Sequence, residues 1–382
     1  MIPLAVPNLS GNEARYLQEC VESTFVSSVG PFVDRFEEMV AAAAGSPNRA
    51  VATSAGTTGL HAALTAVGVG PGDLVMVPAF TFVASANAIA HCGAVPWLLD
   101  VAADSWTLDP ALLARALAEE TVPDGDVVRH RASGRRVAAV LPVHVLGLPA
   151  DMDAIAAVAR AHGLKVVADG AAALGARYKG RRIGEIGADL TVVSFNGNKT
   201  VTAGGGGAVF GDDGDLVALV RHLTTTARSG ADYRHDRVGF NYRMTNLQAA
   251  VGCAQMERLD HFVAAKRRIR ATYDAAFRGL RGTRPFPAVD WADSECWFSG
   301  LVLDGESLPP MDEVRLRLRE LGVDARPFWR PMHLQLAFAA APRGGMAVTE
   351  AVWSRILTLP CSTGITAGEL DLVVAALREV LE

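Results

Sequence analysis

Lysine is scarce in this chain of 382 residues: of 36 basic residues, only four are lysines. The formal net charge is −5 and the basic residues form no stripe, so the usual electrostatic footprint of a nucleic-acid-binding protein is missing. No uninterrupted apolar run approaches the roughly 18–20 residues that a membrane-spanning helix requires. The sequence therefore predicts neither a nucleic-acid partner nor a membrane segment.

Cysteine is also sparse, and its pattern excludes two common kinds of site. The five cysteines are scattered and form no C-x-x-C pair. An odd count without that spacing fits neither a zinc site nor a disulfide framework, and it favours free thiols in a reducing compartment. The N-terminal stretch MIPLAVPNLSGNE has no basic region and no long apolar region, so no secretory signal peptide is predicted. We therefore expect a cytoplasmic protein that holds no metal.

What the chain does contain, from about residue 49 onward, is an alternation of short apolar runs and amphipathic helical patterns. The runs are AVAT (50–53), LVMV (74–77), VPWLL (95–99), VAAVLPV (137–143), LKVVAD (164–169), LTVVSF (190–195) and GAVFG (207–211). Near-continuous apolar strands separated by helices are typical of a mostly parallel sheet covered on both faces. The sequence therefore predicts an α/β core. The length allows two domains, which we place at 1–255 (an N-terminal arm and a large domain) and 256–382 (a small α+β domain).

Other segments carry more local predictions. The stretch PDGDVVRHRASGRR (123–136) is polar and contains glycine, which predicts a surface excursion. The segment Leu247–Phe277 predicts one long helix that leads out of the large domain. Beyond it, the pattern predicts a strand at 296–304 and a helix at 312–321, followed by two terminal helices.

In an open parallel sheet, ligands bind at the carboxyl ends of the strands, so the residues that follow each strand are of interest. AVAT is followed by SAGTTGLHAAL, in which glycine and hydroxyl residues lead directly into a helix. Unpaired N–H groups, hydroxyls and a positive helix end together suit a phosphate. The same pattern also describes an ordinary helix start, so taken alone it leaves both interpretations open.

Two further strand ends carry an acid and an amine. Asp169 ends the run LKVVAD, and Lys199 follows LTVVSF in the polar, glycine-rich turn NGNKTVTAGGGG. The other three lysines have surface interpretations, including Lys266 in the charged helical run KRRIR. Singly, each residue has a structural explanation, but together an acid, a phosphate cup at 54–58 and an amine are what pyridoxal phosphate (PLP) requires. Phe82 offers a flat surface for the cofactor ring, although core packing explains it equally well.

With these residues assembled, the chain resembles the PLP-dependent nucleotide-sugar aminotransferases of the DegT/DnrJ/EryC1/StrS type. The resemblance is nearly end to end, and its most specific motifs are SFNGNKTVTAGGGG and GFNYRMTNLQAAVG, together with GTTGLHAAL, PAFTFVASANAI, PVHVLGLPADMDAI and ARPFWRPMH. Within this family it is most similar to the aminotransferases of legionaminic acid and bacillosamine pathways. The resemblance implies an aspartate-aminotransferase-like fold (PLP fold type I).

The family pattern implies roles for individual cofactor-binding residues. Lys199 matches the Schiff-base lysine, Asp169 the partner of the pyridine nitrogen, and Phe82 the residue that stacks on the ring. The phosphate cup is matched by Gly56, Thr57 and Ser194. Asn241 matches an asparagine that reaches the cofactor phosphate of a neighbouring subunit, so the resemblance also implies a homodimer with shared active sites.

Substrate contacts are implied less sharply. His333 and Trp329, in FWRPMH, match positions near the expected cavity. Arg243 is placed either on a substrate carboxylate or as a brace for its own loop. His144, in PVHVLG, also matches a position near the cavity, and we interpret it as a buried structural histidine.

Two residues depart from the family pattern beside Asp169. The family usually has an acid before this aspartate and a polar residue three positions after it, whereas here Ala168 and Ala172 occupy these positions. The partner of the cofactor nitrogen is kept, but a hydrogen bond near the ring hydroxyl is lost, at a cost of about 1 kcal/mol. We therefore expect these alanines to affect the control of the reaction more than the binding of the cofactor.

The implied reaction is a two-stage transamination through PLP and pyridoxamine phosphate. An amino donor, glutamate by resemblance, gives its amino group, which then passes to a nucleotide-activated 4-keto-6-deoxy sugar. One alternative is a keto-cyclitol aminotransferase of an aminoglycoside-type pathway. Another is a PLP-binding protein with altered or lost transaminase activity, which only Ala168 and Ala172 favour. Related sugar dehydratases carry histidine in place of the lysine, so Lys199 argues against that reaction.

Overall fold

The computed structural model describes residues 1–305 and 308–382. In this part of the chain the α-helices are α1 Glu13–Glu22, α2 Pro31–Ala44, α3 Gly56–Ala66, α4 Val83–His91, α5 Pro110–Glu120, α6 Met152–Ala161, α7 Gly214–Thr224, α8 Asn246–Met256, α9 Leu259–Ala276, α10 Met311–Glu320, α11 Ala347–Val352 and α12 Ala367–Leu381. Within the same ranges, no helix combines the length and the apolar character that crossing a bilayer would require.

The strands are numbered separately along the chain. They are β1 Val51–Thr53, β2 Leu74–Pro78, β3 Val95–Leu99, β4 Thr121–Asp124, β5 Val127–His130, β6 Arg136–Val140, β7 Lys165–Asp169, β8 Arg177–Tyr178, β9 Arg181–Arg182, β10 Leu190–Ser194, β11 Gly207–Phe210, β12 Arg228–Ser229, β13 Arg234–His235, β14 Thr283–Pro285, β15 Ala292–Asp293, β16 Ser299–Leu303, β17 Arg326–Pro327 and β18 Ile356–Leu359. All seven predicted apolar runs contain a strand.

The central sheet has nine strands, and its main path runs β1-β11-β10-β7-β6-β2-β3. The pairs β10/β7, β7/β6, β6/β2 and β2/β3 are parallel, whereas β11 is antiparallel to both of its neighbours. Strand β2 is buried along its whole length, as expected for a strand with helices on both faces. The predicted α/β fold with a mostly parallel sheet is confirmed. In such a sheet the carboxyl ends of β7 and β10 lie side by side, which places Asp169 and the turn that holds Lys199 at one edge.

The stretch 123–136 contains more structure than a surface excursion. Strands β4 and β5 form an antiparallel hairpin that pairs through β5 with β6. The turn between them is Gly125-Asp126, with Gly125 at φ +60°. Glycine tolerates this left-handed conformation, so the predicted surface excursion folds as a hairpin that extends the central sheet.

The predicted long helix Leu247–Phe277 is wrong, because the chain divides there into α8 and α9. Arg258 lies between them at φ −116° and ψ 10°, outside the helical range. Glu257, at the end of α8, accepts hydrogen bonds from Tyr16 and Arg35 on the two N-terminal helices. These contacts fix the end of α8, and α9 then continues in its own direction into the C-terminal part of the chain.

The C-terminal part contains a four-stranded antiparallel sheet in the order β14-β16-β18-β17, and side chains of α10 and α12 share its apolar core. Its apolar core includes Trp297 and Leu357, and it continues into the N-terminal part through Leu4, Phe80 and Val143. A cavity between the two parts is therefore walled by side chains from both. The boundary at 255/256 stays a prediction.

Candidate active site

The amino end of helix α3 forms one end of the cavity. The helix begins at Gly56, and the first N–H groups of a helix have no acceptor within it, so those of Gly56 and Thr57 are open to a ligand. Ser194, at the end of β10, packs against this turn so closely that a Cβ on Gly56 would lie 2.9 Å from the Ser194 Cβ. Only glycine lets the helix end and the serine hydroxyl approach one point. This arrangement suits a phosphate group.

Asp169 also lines the cavity and is 5% exposed. One carboxylate oxygen accepts a hydrogen bond of 2.6 Å from the Ser85 hydroxyl, and the other accepts one of 3.1 Å from the Ala171 N–H. Burial raises the pKa of Asp169, while the Ser85 hydroxyl, the Ala171 N–H and the charge of Lys199 oppose that rise. The site therefore contains a desolvated acid whose ionised form is held by two hydrogen bonds.

Lys199 projects from the turn after β10 onto the face of an indole ring. Its Nζ lies 3.5 Å from the centroid of the Trp297 ring. Burial lowers the pKa of Lys199 to about 8, against the opposing charges of Asp169 and Glu295 and with the added effect of Lys266. An amine with this pKa exchanges protons readily near neutral pH, as a general acid or base must.

Lys266 was predicted on the surface, and the structure shows that this is wrong, since the residue is 2% exposed. Its Nζ donates hydrogen bonds to the carbonyl oxygens of Trp297 (2.8 Å) and Cys361 (2.7 Å). The run KRRIR is amphipathic, and Lys266 shares the buried face of α9 with Ile269, three residues later. The other two lysines that the sequence places on the surface are Lys165 and Lys179. Each has a side chain that is 47% exposed, as predicted.

These groups meet in one cavity of about 350 Å³. Seven of the ten residues predicted for the site line it: Gly56, Thr57, Phe82, Asp169, Ser194, Lys199 and Trp329. The ring centroids of Phe82 and Trp329 lie 5.8 Å apart, so the cavity has aromatic side chains from both parts of the chain. Phe82 remains 52% exposed, which favours a ring that awaits a partner over one that serves core packing.

The other three predicted residues do not line the cavity. Asn241 is exposed, and its backbone pairs with Thr225. Arg243 pairs through its backbone with Thr53, which places it as part of the loop beside the phosphate end. His333 is buried elsewhere, with its Nε2 3.2 Å from a carboxylate oxygen of Glu350.

His144 is buried, as expected, and it also lines the cavity. Its Nδ1 accepts a hydrogen bond of 3.2 Å from the Ala150 N–H, which assigns the proton of the neutral ring to Nε2. That Nε2 has no hydrogen-bond partner within residues 1–305 and 308–382. Burial lowers the pKa of His144 to about 4, so the ring is neutral at physiological pH.

The two alanines that depart from the family pattern have different surroundings. Ala168 belongs to the apolar core on the face of β7 opposite to the cavity, so it is a packing residue. Ala172 lines the cavity itself. Its methyl group offers no hydrogen bond, which makes this part of the wall apolar.

Sequence reasoning missed Ser85, Trp297 and Glu295. Ser85 could have been found, because it lies three residues after Phe82 at the start of α4, and residues at that spacing share a helix face. Trp297 and Glu295 reach Lys199 from about a hundred positions further along the chain. No local pattern links them to it.

The residues of the cavity fit PLP. A buried carboxylate, an amine and the amino end of a helix are the groups that a pyridine nitrogen, an aldehyde and a phosphate require, and all three line one cavity. Gly56 leaves the phosphate end open where a Cβ would fill it.

Comparisons with known proteins agree with this fit. The model described as the DegT/DnrJ/EryC1/StrS aminotransferase family matches residues 7–378. A GDP-perosamine synthase of Caulobacter vibrioides is 39% identical over 382 residues, which are 100% of this chain and 98% of the relative. A dTDP-3-amino-3,4,6-trideoxy-alpha-D-glucose transaminase of Streptomyces venezuelae is 34% identical, over 93% of this chain and 88% of the relative.

A solved structure agrees in fold. DesV of Streptomyces venezuelae, in complex with a ketimine intermediate, has a TM-score of 0.85 and 32% identity, over 96% of this chain and 94% of that one. The legionaminic acid and bacillosamine subtype is not shown by these matches and stays a prediction.

Proposed function

The chain belongs to the DegT/DnrJ/EryC1/StrS aminotransferase family, and from that premise we propose that it transfers an amino group from an amino acid, by resemblance L-glutamate, to a nucleotide-linked 4-keto-6-deoxy sugar. The observation that carries the proposal is the meeting of Lys199, Asp169 and the amino end of α3 in one cavity. The relatives named above act on GDP- and dTDP-linked sugars, which favours a nucleotide sugar over a keto-cyclitol.

Within one chain, five residues would hold the cofactor without a covalent bond. The Asp169 carboxylate would bind the pyridine nitrogen, and Phe82 would lie against the ring. The N–H groups of Gly56 and Thr57 and the hydroxyl of Ser194 would bind the phosphate. Bound in this way, PLP supplies an electron sink that stabilises negative charge on the carbon beside the transferred nitrogen.

Lys199 is proposed to move the proton in both halves of the reaction. As a free amine, its Nζ would remove the proton from Cα of the donor amino acid and pass it to the cofactor carbon. In the second half it would take a proton from that carbon and deliver it to the sugar carbon that receives nitrogen. Both roles require an amine that is neutral in one step and charged in the next. The pKa of about 8 that burial imposes on Lys199 suits this exchange.

The sugar would lie on the open side of the cavity, between Phe82 and the residues contributed by the C-terminal part. Trp329 provides a flat apolar face there, and Ala172 makes the adjacent wall apolar. A deoxygenated sugar presents a methyl group and apolar C–H faces, which such walls accept. We propose Trp329 as a substrate-binding residue. For His333 and Arg243, which do not line the cavity, we propose no direct contact with the sugar.

A homodimer with shared sites is part of the proposal. Asn241 is exposed and does not line the cavity of its own chain, although the following residue accepts a hydrogen bond from the Ser54 N–H at the phosphate end. Phe25, Val26 and Val29 lie near the start of α8 and are 46%, 44% and 58% exposed. An exposed apolar segment of this kind suits association with a second copy, which would bring Asn241 to its partner's phosphate end. Cytoplasmic location and the domain boundary at 255/256 are further parts of the proposal.

The visible absorbance spectrum of the purified protein tests this function directly. PLP attached to Lys199 should give a visible band that disappears when L-glutamate is added. The next step is a panel of GDP-, dTDP- and UDP-linked keto-sugars, in which one member should restore the band and gain an amino group by mass. Lys199→Arg keeps the positive charge and serves as the matched control that should show neither change. A band that glutamate leaves unaltered would contradict glutamate-driven transfer.

A further inference from the structure

The indole of Trp297 is built into the back of the site from three directions. Its Nε1 donates a hydrogen bond of 2.7 Å to the carbonyl of Asn198, the residue immediately before Lys199. The main-chain carbonyl of Trp297 accepts a hydrogen bond of 2.8 Å from the buried Lys266 side chain. The ring also stacks on Phe298 with centroids 4.2 Å apart, and the residue is 3% exposed. The ring is therefore held in one orientation, and it is tied to the turn that carries Lys199.

The face of this ring is where the Lys199 side chain ends. Nζ lies 3.5 Å from the ring centroid, well within the distance at which an ammonium is attracted to an indole face. The attraction acts on the charged form of the amine alone, and it is strongest where water is excluded. A neutral amine gains little from the same contact. A ring in this place therefore alters the balance between the two protonation states.

Resting on the proposed role of Lys199, we infer that Trp297 is a positioning residue that holds the Lys199 ammonium on its indole face whenever the lysine is not joined to the cofactor. This contact would retain the proton that Lys199 has taken from one carbon, Cα of the amino donor in the first half, until the amine delivers it to the cofactor carbon. It also keeps the long side chain beside the reacting atoms. The C-terminal part of the chain thus takes part in proton transfer, although its residues are remote from Lys199 in sequence.

Other charged groups also act on the protonation of Lys199. Asp169 and Glu295 favour the ammonium through their charge, while Lys266 disfavours it, and burial lowers the pKa of the lysine. Glu295 has its own hydrogen bond, accepted from the Gly175 N–H at 3.3 Å. The contact that the structure shows at Nζ itself is the Trp297 face.

The scarcity of lysine makes the test direct. Protein labelled with ¹³C only in lysine contains four labelled side chains, and their Cε signals can be assigned by single Lys→Arg variants. The pH titration of the Lys199 signal should be measured in full-length protein loaded with pyridoxamine phosphate, which leaves the lysine amine free. Lys165 and Lys179 are exposed and serve as internal references whose titrations should not move.

Replacing the ring should shift the titration in a graded way. Trp297→Leu removes the aromatic face, and we expect the Lys199 midpoint to fall, with proton binding weakened about three- to thirtyfold. Trp297→Phe keeps a weaker aromatic face, so it should give a smaller fall in the same direction. Thermal unfolding and far-UV circular dichroism establish that each variant is folded. If Trp297→Leu does not fold, the Lys199 midpoint of the Trp297→Phe variant alone tests the inference.

Two outcomes would overturn the inference. An unchanged midpoint in the folded variants would show that the ring does not hold the charge. A rise would show that Trp297 acts by keeping water away from Lys199, because hydration favours the ammonium. The visible band of the PLP form is recorded on the same samples. A missing band in the wild-type protein would count against the proposed function, whereas the Lys199 titration tests the contact with Trp297 independently.

Discussion

The hydroxyl of Ser85 lies 2.6 Å from a carboxylate oxygen of Asp169 and donates a hydrogen bond to it. Both residues are buried, and the Ser85 oxygen is in turn 2.8 Å from the hydroxyl of Thr81. A carboxylate out of water is stable only if hydrogen bonds or opposite charges replace its solvation. Ser85 therefore favours the ionised form of Asp169, which a protonated pyridine nitrogen would require.

We predict that Ser85→Ala weakens PLP binding about ten- to hundredfold, since a hydrogen bond to a charged group contributes about 1.5–3 kcal/mol. Affinity should fall as the pH drops through the pKa of Asp169 in the cofactor-free protein. Loss of the Ser85 hydroxyl raises that pKa further, so the fall should begin at higher pH in the variant. Absorbance titrations with PLP at several pH values measure both effects.

Thr81→Val is the matched control for this prediction, because Thr81 contacts Ser85 but makes no hydrogen bond to Asp169. It should change the PLP affinity much less than Ser85→Ala does. Equal affinities for wild type and Ser85→Ala across the pH range would show that the hydrogen bond has no part in holding the cofactor.

Gly56→Ala should damage the phosphate end of the cavity. The added Cβ would meet the Ser194 Cβ at 2.9 Å, so either the helix end or the serine must move. Overpacking of this kind typically costs about 1–3 kcal/mol, and here the displaced groups are those that would bind phosphate. We expect PLP affinity to fall roughly tenfold or more, as measured by the same titration.

Gly368→Ala provides the comparison for the glycine experiment. Gly368 lies in the first turn of α12, and an added Cβ there would meet no atom within 4 Å. This change should leave PLP affinity unaltered and should stabilise the helix slightly. If the two alanine variants bind PLP equally well, the close approach at Gly56 does not serve the phosphate.

The shared site predicts a specific result when two damaged chains are mixed. Lys199→Ala and Asn241→Ala should each be nearly inactive at a cofactor concentration that leaves the Asn241→Ala site largely empty. In a mixed dimer, one of the two cavities then has both Lys199 and its partner's Asn241 intact, so the isolated mixed dimer should regain about half of wild-type activity. Co-expression with two affinity tags isolates the mixed dimer, and sedimentation gives its mass. No recovery, or a monomeric mass, would contradict the shared site.

The fold could be predicted well from the sequence because its central strands are apolar along their whole length. Each of the seven runs contains a strand, since a strand covered on both faces leaves a continuous pattern. The break between α8 and α9 left no such pattern. Apolar residues continue through Arg258, and the cause of the break is the tertiary contact of Glu257 with Tyr16 and Arg35.

The site could be predicted only where its residues follow strands. Asp169, Ser194 and Lys199 come at or just after strand ends that the parallel topology brings to one edge. Lys266 was placed on the surface because its neighbours are arginines, although the helical period puts it on the buried face. Trp297 and Glu295 come from a different part of the chain, and their approach to Lys199 depends on how the two parts pack.

The last prediction concerns stability and rests on the burial of Lys199. Its pKa is about 8 in the folded chain against an ordinary value of 10.5, so below pH 8 the unfolded chain holds this proton more tightly. Protonation therefore opposes folding at neutral pH, and this penalty fades as the pH rises from 8 towards 10.5. Because solvent still reaches part of the side chain, we expect Lys199→Met to stabilise the cofactor-free protein at pH 7 by on the order of 1–2 kcal/mol. Urea unfolding at pH 7 and pH 9.5 should show the gain shrinking. Lys179→Met, at a side chain that is 47% exposed, should show no such gain. A destabilised Lys199→Met variant, or an equal gain at both pH values, would mean that burying the protonated Lys199 does not lower the free energy of unfolding.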